Sequence, residues 1–239
     1  MLKVASTTRG HSLSKAWEVS KAHKGAFSGG KVELSRDGKL LACLYEWDVS
    51  FVDVEEGVVT KRLRSEGSPG GEEEIVSFAL HPNGSEIVTA SRSLLLRHWE
   101  IATGDCKRAI KAHDHIVRCM DYDGTGTLVA TGSSDSTAKV WDVERGYCTH
   151  NFRGHTGVVS VVAFHPDPKR LTLVTGSEDT TVRVWSLSEQ SCTAVLKAHL
   201  SYVTSLAFLP GGTGVISGGR DRVLNVWALD RCFFFFVLL

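Results

Sequence analysis

Residues 114–155 read DHIVRCMDYDGTGTLVATGSSDSTAKVWDVERGYCTHNFRGH, and this stretch decides the architecture. Four short runs within it, 116–122, 128–132, 137–142 and 148–152, are rich in Val, Ile, Leu, Thr and aromatic residues. Turn formers part them: Asp123-Gly124-Thr125-Gly126, Ser133-Ser134-Asp135-Ser136 and Glu144-Arg145-Gly146. Such residues accept the backbone angles of tight turns, so the stretch predicts four antiparallel strands joined as a meander.

The unit recurs on both sides. Trp99, Trp141, Trp185 and Trp227 fall 42, 44 and 42 residues apart, and His113, His155 and His199 are spaced by 42 and 44. Two independent markers therefore share one period, and a period of about 40 to 45 with four strands is that of a β-propeller blade. The repeat ends resemble the WD-repeat family. Gly154-His155 and Trp141-Asp142 match its dipeptides, while Ala112-His113, Ala198-His199, Trp99-Glu100, Trp185-Ser186 and Trp227-Ala228 are weaker copies. The expected fold is all-β: a WD-repeat β-propeller of four-stranded antiparallel blades, about five of them, with the ring incomplete.

Taken in order, residues 1–24 are irregular apart from Ala16-Trp17-Glu18-Val19, a candidate clasp strand. The propeller occupies 25–232 in units of about 25–64, 75–113, 114–155, 156–199 and 200–232. Its first unit is degenerate, with three strands at 31–34, 40–44 and 50–54, and with Val52 where the repeat tryptophan belongs. Trp47 is five residues off that register. Between the first two units, residues 65–74 (SEGSPGGEEE) form an acidic loop whose composition cannot bury a core. The last residues, 233–239 (FFFFVLL), do not alternate as a half-exposed strand should and are expected to leave the repeat pattern as an aberrant apolar tail. Such a tail is too short to span a bilayer and prone to aggregate unless covered.

Lys plus Arg equals Asp plus Glu at 27 each, so no overall field draws nucleic acid or an anionic membrane. No signal-peptide pattern and no apolar run of about 18 residues is seen, and a soluble intracellular chain is expected. Cys106, Cys148 and Cys192 each follow a repeat tryptophan by seven residues, and Cys232 follows Trp227 by five. These are repeat positions without a CxxC pair, which predicts buried or half-buried thiols and neither a metal site nor a cofactor.

In the better units a hydroxyl residue, an Asp, a Trp and a His recur at fixed offsets. The sets are Thr131, Asp135, Trp141 and His113; then Thr175, Asp179, Trp185 and His155; then Ser217, Asp221, Trp227 and His199. Ser, His and Asp together invite a hydrolase reading. Repetition argues against it, because a nucleophile needs one exposed position beside an oxyanion hole, not several copies. The resemblance implies instead a buried chain of hydrogen bonds from indole to hydroxyl to imidazole to carboxylate. In the second unit Ser93 stands at the Asp position, so that unit should depend less on the device. Gly124-Thr125-Gly126 and Gly211-Gly212-Thr213-Gly214 lack the helix and lysine of a phosphate loop and read as hairpin turns. Basic clusters at Lys61-Arg62-Leu63-Arg64, Lys169-Arg170 and Arg220 with Arg222 decorate turns, with no stacking aromatics interleaved. Of these, Arg220 and Arg222 are the interaction candidates.

The degenerate first unit, the run Ile87–Leu96 (IVTASRSLLL), the segment from Phe152-Arg153-Gly154 through Val158-Val159 to Val162–Pro168 (VAFHPDP), and Ala198-His199 before Val203–Phe208 (VTSLAF) narrow the resemblance. Over about residues 27–232 the chain is similar to the WD-repeat subunits of the small-subunit processome, a ribosome-assembly particle. That resemblance implies a non-catalytic nucleolar scaffold in small nucleolar RNA-guided pre-rRNA processing and 18S rRNA maturation. Its implied partners are other WD-repeat proteins of a pre-ribosomal complex, with pre-rRNA or small nucleolar RNA contacted locally or indirectly; neither a membrane nor a small-molecule substrate is implied. Members of that family carry two tandem propellers and a helical C-terminal domain, against four clear blades and one degenerate blade here. The rival reading is a generic WD-repeat adaptor such as a ubiquitin-ligase substrate receptor. Those often carry Arg two residues beyond the Trp-Asp dipeptide, where Trp141-Asp142-Val143-Glu144 has Glu.

Overall fold

A computed structural model of the chain describes residues 26–64, 73–229 and the backbone of 234–237. The candidate clasp strand and most of the acidic loop lie outside the described residues. Among the described residues, twenty strands form five four-stranded antiparallel sheets, each built from consecutive strands. The first holds β1 (Val32–Leu34), β2 (Leu40–Tyr45), β3 (Asp48–Asp53) and β4 (Val59–Leu63). The second holds β5 (Ile75–Leu80), β6 (Glu86–Ser91), β7 (Leu95–Glu100) and β8 (Cys106–Lys111). In the third are β9 (Val117–Tyr122), β10 (Leu128–Ser133), β11 (Thr137–Asp142) and β12 (Tyr147–Arg153). The fourth contains β13 (Val159–Phe164), β14 (Thr172–Ser177), β15 (Thr181–Ser186) and β16 (Ser191–Lys197). β17 (Val203–Phe208), β18 (Gly214–Gly219), β19 (Leu224–Ala228) and β20 (Phe234–Val237) make the fifth.

Sequence pattern and position within each sheet agree. β10 and β14 are covered on both faces and read as nearly continuous runs, LVATGS and TLVTGS, buried after their first residue. The outermost strands face solvent on one side, and in β16 exposed and half-buried residues alternate along SCTAVLK. The first strands β1, β5, β9, β13 and β17 neighbour one another in that order, so the sheets stack around a common axis as propeller blades. Each pair of sheets shares a core: Phe51 with Phe78 and Trp99, then Ala79 and Leu96 with Met120 and Trp141. Phe152 with Leu173 and Trp185, and Val174 and Val184 with Trp227, continue the series.

Two departures from the sequence reading concern the ends. The first unit is a complete four-stranded sheet, because Val59–Leu63 pair with β3. Leu41 opposes Val52 in the register in which Val129 opposes Trp141, and Val52 packs with Ala26, Cys43 and Leu41. Aliphatic contacts thus stand where the other blades place an indole. Trp47 lies in the two-residue turn after β2 and is half exposed. At the other end, the apolar run expected to stand outside the blade supplies its outer strand: Phe234–Val237 pair with β19 in register. Phe234, not Cys232, takes the place of the repeat cysteines opposite the tryptophan. The bulge that precedes Trp99, Trp141 and Trp185 in the other sheets is missing there. Backbone pairing asks only for extended residues, so an unpatterned apolar segment satisfies it.

The two outermost faces of the stack are open among the described residues. Val32 and Leu34 are 49% and 52% exposed, whereas Met120 and Tyr122, at the same register of the third blade, are 3% and 7% exposed.

Candidate functional site

The recurring polar residues converge into one arrangement, built three times. In the third blade the Trp141 indole N–H donates to Thr131 Oγ1 at 2.9 Å, Thr131 Oγ1 lies 2.7 Å from His113 Nε2, and His113 Nδ1 lies 2.8 Å from Asp135 Oδ2. The fourth repeats this with Trp185, Thr175, His155 and Asp179 at 2.9, 2.7 and 2.8 Å. The fifth repeats it with Trp227, Ser217, His199 and Asp221 at 2.8, 2.8 and 2.9 Å. A carboxylate only accepts, so the imidazole proton sits on Nδ1; Nε2 of the neutral ring then accepts from the hydroxyl.

Local turn chemistry puts each carboxylate in place. Asp135 also accepts from the backbone N–H and hydroxyl of Thr137, and Asp179 from those of Thr181 and from the Thr156 N–H. Burial lowers the His113 and His155 pKa values, an effect that the neighbouring carboxylates oppose without overcoming. Burial alone would raise the Asp179 carboxyl, but hydrogen bonds from Thr181, Thr156 and His155 outweigh it and bring it down to about 2. Asp135 is lowered by the same balance. Thr131, Thr175 and Ser217 are fully buried, and each hydroxyl already holds an indole and an imidazole. Groups so enclosed have no access to a substrate; their chemistry is cohesion, since every donor finds an acceptor.

Sequence reasoning missed what replaces this network in the second blade. There the Trp99 indole still donates to Thr89 Oγ1 at 2.8 Å. In place of His and Asp, the carboxylate of Glu73 accepts from Ser91 Oγ and Ser93 Oγ and pairs with Arg97. Ser93 at the Asp position was the visible signal; that Glu73, from the segment read as an acidic surface loop, turns inward was not. A second unforeseen set links blades along the axis. Lys31 Nζ donates to the carbonyls of Phe78 and Met120 at 2.9 and 2.8 Å, Glu33 accepts the Leu80 N–H at 3.1 Å, and Asp121 accepts the Phe164 N–H at 2.8 Å. Burial pushes the Asp121 carboxyl up to about 6.

The interaction candidates Arg220 and Arg222 lie on the exposed turn between β18 and β19. The Arg220 guanidinium is 5.3 Å from the Tyr202 ring centroid, and that of Arg62 is 4.4 Å from Tyr45. Strand pairing therefore supplies aromatics that the local sequence of these basic clusters lacks. Among the described residues, Cys106 and Cys148 are exposed, not buried, because the outer strands face solvent, and no group of His, Cys, Asp or Glu could hold a metal.

Fold and network together define a WD-repeat protein, and this chain belongs to that family. The model of the WD domain, G-beta repeat, matches residues 104–142, 146–186 and 190–228. More particularly, the chain is similar to Transducin beta-like protein 3: 44% identical to the Mus musculus protein over 95% of this chain, and 47% to that of Bos taurus over 85%. It is also 31% identical to U3 small nucleolar RNA-associated protein 13 of Saccharomyces cerevisiae over 59% of its length. The chain spans 28%, 25% and 17% of those three proteins.

Proposed function

We propose that this chain is a non-catalytic scaffold of the small-subunit processome, acting in U3-type small nucleolar RNA-guided pre-rRNA processing within the nucleolus. The observation that carries the reading is similarity across 95% of the chain to Transducin beta-like protein 3, supported by the partial match to a protein named for its U3 small nucleolar RNA association. The geometry favours the same conclusion, because the polar groups that could do chemistry are spent on holding blades together while the turns at the rims stay exposed. Stable blades that present variable rims are what a protein-interaction platform requires. Its partners on this reading are other WD-repeat proteins of the pre-ribosomal complex, with RNA contacted locally or through them. The ubiquitin-ligase adaptor reading gains no support from these relatives.

Affinity purification of the full chain from cells, with bound proteins and RNA sequenced, tests the proposal. Enrichment of U3 small nucleolar RNA and pre-rRNA together with nucleolar WD-repeat proteins is the expected result. Recovery of cullin-type ligase subunits without either RNA would overturn it.

A further inference from the structure

We propose that Leu200, Tyr202, Arg220 and Arg222, on the rim of the fifth blade, form a docking surface for a partner-protein segment that carries carboxylates beside an apolar side chain. The inference rests on the scaffold reading and names the chemistry of one of its partners.

Two separate segments build this surface, the loop before β17 and the turn after β18. The Arg220 N–H donates to the Tyr202 carbonyl at 2.9 Å, and the Leu200 N–H donates to Asp221 at 2.8 Å. Asp221 is itself held by His199, so the buried network of the blade sets the base from which the four side chains project. Leu200 is 89% exposed and Tyr202 39% exposed, with the Arg220 guanidinium 5.3 Å from the tyrosine ring centroid.

The framework does not demand these residue types. The same backbone bond joins Ile116 to Ser134 in the third blade and Val158 to Glu178 in the fourth. At the registers of Leu200, Tyr202, Arg220 and Arg222 the third blade has Asp114, Ile116, Ser134 and Ser136, and the fourth has Thr156, Val158, Glu178 and Thr180. Nor does backbone geometry select Arg222, since Ser136 and Thr180 hold the same left-handed conformation. Against these two blades the fifth presents a leucine for Asp or Thr, an aromatic for a β-branched aliphatic, and two cations for Ser, Glu or Thr; the second blade has Arg92 at the Arg220 register, but there it pairs with Glu74. Tyr and Arg are the side chains enriched at the energetic centres of protein interfaces.

Charge and shape select the occupant. Among the described residues neither guanidinium meets a carboxylate, while Asp221 is committed to His199, Leu200 and Val223. An exposed leucine and two exposed arginines on the turn whose Asp221 accepts the Leu200 N–H complement an acidic segment with an apolar anchor. Single-stranded RNA fits less well. Its sites use successive stacking aromatics, whereas here one ring is offered, with Arg220 stacked against it and an aliphatic chain alongside.

To test this, Leu200 is replaced in the full chain by the photo-crosslinking residue p-benzoyl-phenylalanine, cells are irradiated, and crosslinked peptides and RNA are identified. The expected product is a protein segment with Asp or Glu adjacent to a large apolar residue. Its yield should fall about tenfold in an Arg220→Glu/Arg222→Glu background, as for loss of close charge pairs, and return when the segment's acids are changed to Lys. Crosslinks to RNA, crosslinks indifferent to the charge reversal, or none from a chain with a wild-type urea melt would each overturn the docking surface. The two readings fail separately. A charge-dependent acidic segment from a protein foreign to ribosome assembly would leave the surface standing and remove the nucleolar role, and an empty rim on a chain that still purifies with U3 RNA would do the reverse.

Discussion

Glu73 pairs with Arg97 inside the second blade, and only 9% and 12% of the two side chains is exposed. The carboxylate also gathers the hydroxyls of Ser91 and of Ser93, the residue at the Asp position of the blades that follow. Removing one partner of a buried pair strands the other charge, and Glu73→Ala is expected to cost about 3 kcal/mol. Ser93→Ala, which leaves the pair intact, should cost about 1 kcal/mol or less. Urea unfolding of both variants measures the difference; equal midpoints would show that the pair contributes nothing.

Thr131 accepts from one ring and faces a second, whereas Thr89 serves the Trp99 indole without a histidine. Thr131→Val therefore orphans two buried groups and Thr89→Val one. Expected losses are about 2 to 3 and about 1 kcal/mol. Asp135→Ala, which releases His113 and Thr137 together, belongs with the larger class at about 2 kcal/mol. Thermal melts that fail to rank Thr131→Val below Thr89→Val would contradict the network.

Acid should destabilise the chain in two stages. His113 and His155 are held below their ordinary 6.5, so as pH falls the unfolded chain binds those protons first and stability drops. A further loss follows below 3.8 as the unfolded counterparts of Asp135 and Asp179 protonate, with Asp179 held down to about 2. Asp121 acts in the opposite sense: raised to about 6, it takes its proton first in the folded chain and adds stability between 6 and 3.8. Asp121→Asn has no charge to bury and keeps an oxygen for the Phe164 N–H, so it should match or exceed wild type at pH 7.5 and fall more steeply between pH 7 and 5. Urea midpoints across that range decide it.

His165 Nε2 lies 3.0 Å from the Gly212 carbonyl oxygen, a latch between the fourth and fifth blades. A Cβ on Gly212, at φ +72, would stand 2.3 Å from the imidazole Cε1, while one on Gly38, at φ +74, would meet nothing. Gly38→Ala isolates the cost of the left-handed backbone, about 1 kcal/mol. Gly212→Ala should cost at least about 1 kcal/mol more, as overpacking does, and the gap should close when His165→Ala is added. Failure of the double variant to recover would mean that the ring is not what the methyl meets.

The blades were legible in advance because their signals are local. Runs such as LVATGS between Gly, Asp and Ser turns specify strands, and the period of the tryptophans aligns one blade with the next. The same period exposed the recurring hydroxyl, Asp, Trp and His; that they bond to one another was what the family resemblance implied. Glu73 and Arg97 were not legible, because they lie 24 residues apart in a blade that lacks the repeat histidine and nothing local marks an acidic segment as turning inward. The first blade's outer strand and the pairing of Phe234–Val237 escaped for the opposite reason: their sequences carry no alternation, and only an open strand edge alongside makes them strands.

The sequence by itself determined a WD-repeat chain and its likeness to Transducin beta-like protein 3. Tertiary structure alone decided which groups meet across blades: Lys31 with Phe78 and Met120, Asp121 with Phe164, and His165 with Gly212. A repeat fixes what occupies each position within a blade through short-range pattern. Contacts between blades depend on how sheets stack about an axis, and that geometry joins residues more than 40 positions apart that no local pattern connects.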